Sequence, residues 1–416
     1  MLRPYAWFCL VALAAALPAQ AQTLSLQEAQ QRAADRSRQL AAQDLAASAS
    51  REMAVAAGQL PDPVLKLGVD NLPVTGPDQF SLTRDFMTMR RIGIVQEITR
   101  GAKRDLRSRR YESEAEKSVA EKSATLAEIQ RDTALAWLDR YYAEAMLSVL
   151  REQIGQARLE TQAAEAAYRG ARASQADVFA AHGSAAALED RASELSSRVR
   201  VAKANLARWI GEGADAPLAE PPPMDTVPLE MATLETNLAR HPEMVALTKQ
   251  EEIAETEARL AQASSTPDWT VEIAYQQRGP DYSNMVSFGV SVPLPWDRGN
   301  RQDREVAAKL AQAEQARAQR EEALRAHVGE VRTLLAEWQS GRGRLARYRD
   351  ELVPLARDRA RASLAAYQGG KSSITELLAA RRNESEVRLQ EVQLERETAR
   401  LWANLSFLTP HTGEAR

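Results

Sequence analysis

Four short segments of the chain alternate apolar and polar side chains, at residues 64–72, 91–98, 269–276 and 285–294. In the third, Trp269, Val271, Ile273 and Tyr275 fall on one face and Thr270, Glu272, Ala274 and Gln276 on the other. In the fourth, Val286, Phe288, Val290, Val292 and Leu294 oppose Ser287, Gly289 and Ser291. A period of two is the signature of a strand with one apolar face. Strands of this length with one apolar and one polar face suit the wall of a membrane β-barrel, whose smallest examples have about eight strands. Four strands cannot close such a wall, and an open sheet in lipid would leave backbone groups unpaired. If these strands span a membrane, copies of the chain must complete the barrel. The alternation predicts that Trp269, Val271, Ile273, Val286, Phe288 and Val290 face lipid, and that Glu272, Ser287 and Ser291 face the lumen.

Between these strands the spacing predicts long helices. Leu26, Ala29, Ala33, Leu40 and Leu45 recur near helical spacing and predict a helix over 24–58, ended by Pro61 and Pro63. Residues 102–168 contain no proline. As one helix they would extend about 100 Å at roughly 1.5 Å per residue. Tyr168-Arg169-Gly170 marks a break, and a helix resumes over 174–210. The second half restates this order: a helix over 229–264, the second hairpin, and a long helix over 300–367 with a kink expected at Pro354. Tyr367-Gln368-Gly369-Gly370-Lys371-Ser372-Ser373 echoes Tyr168-Arg169-Gly170-Ala171-Arg172-Ala173-Ser174 at an offset of 199 residues. The same offset aligns Ala204-Asn205-Leu206 with Ala403-Asn404-Leu405. A tandem repeat is thus expected, with a first repeat over 22–210, a linker rich in Gly, Ala and Pro over 211–228, a second repeat over 229–409 and a tail over 410–416.

The N-terminus predicts export. Arg3 precedes an apolar run from Trp7 to Leu17, and Ala19-Gln20-Ala21 has the form of a cleavage site, so residues 1–21 read as a secretion signal. The single cysteine, Cys9, lies within it, and Phe8 before it does not suit a lipidation site, so no lipid anchor is expected. Aromatic residues make up 5% of the chain and charged residues 27%, a mixture that suits long helices in contact through small side chains. A net charge of −3 carries no signal for nucleic acid. No segment after residue 21 reads as a transmembrane helix.

Little here resembles catalytic chemistry. His182, His241, His327 and His411 are scattered, and neither a metal-ligand spacing, a phosphate loop nor a nucleophile constellation is visible. No enzyme activity and no cofactor are expected. Met87 and Met89 offer thioethers to a soft cation, but at a strand entrance they read first as packing residues.

The duplicated order of helix, hairpin, long helix, tip turn and helix over residues 24–409 resembles the outer-membrane factors of the TolC family. The stretch from Asp85 to Ile98, continued by Arg100-Gly101-Ala102-Lys103-Arg104, resembles the heavy-metal branch of that family (the Cus and Czc types). Pro293-Leu294-Pro295-Trp296-Asp297-Arg298-Gly299-Asn300 resembles the matching segment of the second repeat. The resemblance implies a mainly α protein with membrane β structure: a homotrimer whose twelve-stranded outer-membrane barrel continues into a periplasmic helical barrel. It also implies a periplasmic adaptor and an inner-membrane pump of the RND type as partners, with outer-membrane lipid around the barrel. It places a gate at the tip turns, with Tyr367 as the gate tyrosine, Asp177 and Glu376 as acidic tip positions, and Arg172, Lys371 and Ser372 beside them. The expected basic residue of that gate falls on Ser372, and a second acidic position falls on Ala379. The expected role is a passive exit duct for heavy-metal cations. A duct for drugs or secreted polypeptides would share the architecture. A periplasmic adaptor or structural coiled coil would also have long helices, but would lack the two amphipathic hairpins.

Overall fold

The structure, a computed structural model, describes residues 23–228 and 234–408. The expected secretion signal, the stretch 229–233 and the tail over 410–416 lie outside the described residues. In chain order the elements are α1 (Leu26–Arg36), α2 (Arg38–Ala57), β1 (Val64–Asp70), β2 (Met89–Ile98), α3 (Gly101–Arg169), α4 (Gln175–Ile210), α5 (Leu234–Ala239), α6 (Pro242–Ser264), β3 (Trp269–Gln277), β4 (Met285–Ser291), α7 (Gln302–Arg347), a π-helical turn (Tyr348–Leu352), α8 (Val353–Gln368) and α9 (Ile374–Ser406).

Three expectations change. The helix expected over 24–58 is two helices, because the Ser37 side chain accepts a hydrogen bond from the Leu40 amide and starts a new one. The helix expected over 229–264 is interrupted before Pro242, which occupies the first turn of α6 where its missing N–H costs nothing. The strands are 7–10 residues long, and β4 ends at Ser291 rather than 294. The kink expected at Pro354 takes the form of the π-helical turn just before it. A proline cannot donate to the carbonyl one turn back, and one widened turn absorbs the mismatch.

The chain forms two compact units, each drawing on both halves of the sequence. Among the described residues, the first comprises 23–36, 132–226 and 341–400. Its core is built on the C-terminal part of α3, where Ala134, Trp137, Leu138 and Leu150 are fully enclosed. Trp137 stacks on Tyr141 at 5.6 Å and donates its indole N–H to the Leu24 carbonyl at 3.1 Å. Leu24 in turn pairs with Leu218 in a parallel bridge, so the segment expected as a linker is strapped down. Arg140, 1% exposed, donates to the carbonyls of Ala214 and Ala216 and to Glu144, which explains how a guanidinium stays inside. Asp139, one residue earlier, receives both Arg396 and Arg400 of α9.

Among the described residues, the second unit comprises 37–131, 227–228, 234–340 and 401–408. It holds the sheet, of order β1-β2-β3-β4 and antiparallel throughout. The Lys103 ammonium, 4% exposed, donates to the Thr266 carbonyl at 2.6 Å and to Asp268 at 2.7 Å, and the Arg100 amide donates to the same carboxylate. These bonds fix the start of α3 to the start of β3.

Candidate functional site

The register sorts the sheet side chains into two faces. One row crosses all four strands as Leu65, Ile94, Ile273 and Phe288, and the next as Leu67, Ile92, Tyr275 and Val286. Val271 lies beside Val290, and Trp269 beside Ile98. All these side chains are exposed in the chain, Phe288 to 78%. The six positions expected to share one face, Trp269, Val271, Ile273, Val286, Phe288 and Val290, do so. A contiguous apolar face of this extent must be covered by something other than water.

The opposite face is polar and closely packed. Its rows include Lys66, Gly93, Ala274 and Ser287, and Gly68, Arg91, Gln276 and Met285. Glu272 receives Lys66 at 3.3 Å and Arg91 on its other oxygen, and Arg91 also approaches Asp70 at 3.7 Å. Ser287 donates to Gln276 at 3.0 Å. A Cβ at Gly93 would stand 3.0 Å from the Ala274 Cβ, so the glycine permits the close approach of β2 and β3. Glu272 and Ser287 thus share the face opposite the apolar one, with Ser291 at its edge opposite Thr270. β1 and β4 each pair with one strand only, which leaves two open edges in the described chain.

The two tip turns lie in the first unit and are built alike. In the first, the Arg172 amide donates to the Ala167 carbonyl at 2.8 Å and the Ala171 amide to Tyr168 at 2.9 Å. In the second, Lys371 donates to Ala366 at 2.8 Å and Gly370 to Tyr367 at 3.0 Å. Both are Schellman caps with one left-handed residue, Ala171 at φ 54° and Gly370 at φ 69°. An L side chain in that conformation costs about 1–2 kcal/mol. Glycine relieves this but adds unfolded-chain entropy. Ala171→Gly is therefore expected to stabilise the unit by about 0.5–1 kcal/mol, and Gly370→Ala to destabilise it similarly. Thermal melting of the purified protein in detergent checks both; opposite signs would contradict the cap geometry.

The acidic tip positions serve the helices that follow. Ser174 and Asp177 form a capping box, with the Ser174 amide and hydroxyl both donating to the Asp177 carboxylate at 2.8 Å. The backbone bond, then the hydroxyl bond, hold this carboxyl below its ordinary range. In the second turn, Ser373 accepts from the Glu376 amide at 3.2 Å. Tyr367 is half-buried against Ala164, Ala181, Ile374, Leu378 and Val178, so one apolar cluster unites the two turns. Arg172 and Lys371 are exposed. Ser372 is half-buried, and its covered hydroxyl oxygen has no hydrogen-bond partner. Next to this cluster Arg381 joins Glu160 and Glu384, each at 3.0 Å. Burial pushes the Glu160 carboxyl up, against the opposing pull of Arg381. No sequence reading singled out this triad; Glu160 lies 221 residues from Arg381 along the chain.

The second unit also contains a histidine pair. His241 caps α6: its Nδ1 accepts from the Glu243 amide at 3.3 Å, and its Nε2 donates to the Leu408 carbonyl. The bond accepted by Nδ1 requires the neutral ring. His327 lies 4.9 Å away, centroid to centroid, and Glu128, Arg131, Glu243 and Glu330 line the same cavity. Burial first, then His327, lowers the His241 pKa. The stability this contributes is present above the unfolded value of about 6.5 and is lost as pH falls below it. The melting midpoint is expected to fall between pH 7 and pH 5, and more gently in His241→Asn, which keeps the cap without the titration. Equal slopes would remove His241 from this role.

Among the described residues, no helix is long and apolar enough to cross a membrane, and no group of three or more His, Cys, Asp or Glu side chains is arranged to hold a metal ion. Residues 233–410 match the family described as "Outer membrane efflux protein". No curated protein matches the chain in sequence. Among solved structures, the outer membrane protein VceC from Vibrio cholerae is 20% identical, with a TM-score of 0.76 over 92% of this chain and 95% of that one. CusC, whose structures concern folding and transmembrane channel formation, is 15% identical, with a TM-score of 0.78 over 92% of this chain and 91% of that one. The open state of the Neisseria gonorrhoeae MtrE outer membrane channel is 17% identical, with a TM-score of 0.75 over 92% and 88%. The chain therefore has the fold of an outer-membrane channel protomer, over nearly the whole length of these similar proteins.

Proposed function

We propose that this protein is the outer-membrane exit duct of a tripartite efflux system. The observation that carries the reading is a four-stranded sheet with an exposed, mainly apolar face and two open edges. In lipid every backbone group needs a partner, so such a sheet has to close with others. Three copies, the number the family resemblance implies, make a twelve-stranded barrel with Phe288, Ile273 and their neighbours toward lipid and Glu272 and Ser287 toward the lumen. The helices extend into the periplasm, where an adaptor and an inner-membrane pump of the RND type supply contact and energy. The repeats, 22–210 and 229–409, each contribute one hairpin and one tip turn.

The tip turns form the closed end in this reading. Exposed ion pairs at such a site are each worth about 0–1 kcal/mol. Closure then rests on packing of Tyr367 together with the cap at Asp177, while Arg172, Lys371, Ser372 and Glu376 shape the rim. Tyr367→Ala combined with Asp177→Ala is expected to raise single-channel conductance in planar bilayers without loss of the oligomer. Unchanged conductance of an intact oligomer would contradict the gate. The resemblance of Asp85–Ile98 and Pro293–Asn300 to the heavy-metal branch supports metal cations as cargo. Deletion of the gene should then sensitise cells to metal salts more than to drugs; the reverse pattern would assign a drug duct.

A further inference from the structure

The hairpin end of the sheet carries two cations that the channel reading does not use. The row beyond Leu67, Ile92, Tyr275 and Val286 reads Val69, Arg90 and Gln277, so Arg90 stands on the apolar face at its rim. Arg278 follows directly. Arg90 donates to the Arg278 carbonyl at 3.3 Å, which draws the two residues together. The Arg278 guanidinium lies 4.9 Å over the Tyr282 ring and donates to the Phe86 carbonyl.

Apart from Asp281, which is exposed in the loop after Arg278, the other charges at this end are occupied. Arg91 is paired with Glu272 and Asp70, and Arg84 with Asp78 at 3.6 Å. Asp85 is engaged by the amides of Met87 and Thr88. Among the described residues, no carboxylate lies within ion-pair distance of Arg90 or Arg278, and the Nε atoms of both are covered without an acceptor. The platform is fixed: a Cβ at Gly279 would fall 2.0 Å from the Thr83 carbonyl oxygen, so the two hairpin loops are in direct contact. The loop beside the arginines exposes Phe80, Leu82, Phe86 and Met87.

An arginine at the rim of an apolar surface with a second arginine beside it in the hairpin, neither of them ion-paired, is unfavourable unless an anion completes the pair. Guanidinium matches phosphate oxygens with paired donors. The exposed apolar side chains next to it call for acyl chains rather than water. We infer that Arg90 and Arg278 form a docking site for a lipid bearing phosphate groups, held in the leaflet at the hairpin end of the barrel. The inference rests on the outer-membrane reading above.

The test uses the full mature chain in detergent micelles doped with a bisphosphorylated glycolipid (lipid A), with its dephosphorylated form, or with inorganic phosphate at matched concentration. The phosphorylated lipid is expected to raise the melting midpoint by several degrees, and the other two to leave it unchanged. Arg90→Gln with Arg278→Gln should lose at least half of that gain, while Arg325→Gln on α7 keeps it. An equal gain in the double variant, or an equal gain with inorganic phosphate, overturns the inference. Should the double variant fail to assemble, Arg90→Lys decides: it keeps the charge but loses the fork, and an undiminished gain overturns the site. Membrane fractionation of the same samples separates the two ideas, because a chain that never enters the membrane refutes the duct, whereas an assembled channel without the lipid effect refutes only the docking site.

Discussion

An arginine at Phe288 is expected to cost about 2–4 kcal/mol of membrane assembly if the residue lies near the bilayer midplane. Phe288 ends the row formed with Leu65, Ile94 and Ile273 on the edge strand β4, and it is the most exposed member of that row. The change removes an aromatic contact with acyl chains and places a charge where no counter-ion exists. Ser287, its neighbour, points to the face that holds Glu272 and Gln276. There an added arginine finds carboxylate and amide partners, so Ser287→Arg should be mild. Heat-modifiable mobility of the assembled protein in membranes measures both. Equal tolerance of the two arginines would reverse the assignment of the faces.

The second large effect is expected far from the sheet in sequence. Arg140→Ala should destabilise its unit by about 3–5 kcal/mol, the range for removing one member of a buried charged network. Three groups lose their donor at once: the carbonyls of Ala214 and Ala216 and the Glu144 carboxylate. Ala214 is buried, so water cannot easily replace the bond to its carbonyl. The strap over 211–228 should then become sensitive to proteolysis while the strands are untouched. Limited proteolysis alongside thermal melting reads both. A variant as stable and as resistant as the wild type would mean that the strap is held by the Leu24–Leu218 bridge alone.

What could be read from the chain follows from the range of the interactions. The helix over 101–169 was legible almost to the residue, since an unbroken Ala-rich run without proline leaves few alternatives and ends at a turn marked by Gly170. The faces of the strands were legible because a period of two needs no partner to define it. The break at Ser37 escaped notice because Arg36-Ser37-Arg38 lacks the usual punctuation, and only the bond from the Leu40 amide reveals the cap. Pro242 was a readable stop that was passed over, as histidine is an unusual cap before it. The Arg140 strap, the Arg381 triad and the Arg90–Arg278 rim were invisible, because each joins residues far apart in sequence and no spacing rule points to them. At the tips, Asp177 and Glu376 were found through resemblance; the structure adds that Asp177 is already bound by Ser174, and that Ser373 takes the Glu376 amide.

The central claim is that the sheet is one part of a shared barrel. Light scattering on the mature protein, extracted from membranes in mild detergent and corrected for bound detergent, tests it most directly. The account predicts a single species with three times the mass of one chain, lost only when the strands unfold. A stable, folded monomer with the same strand content would contradict it.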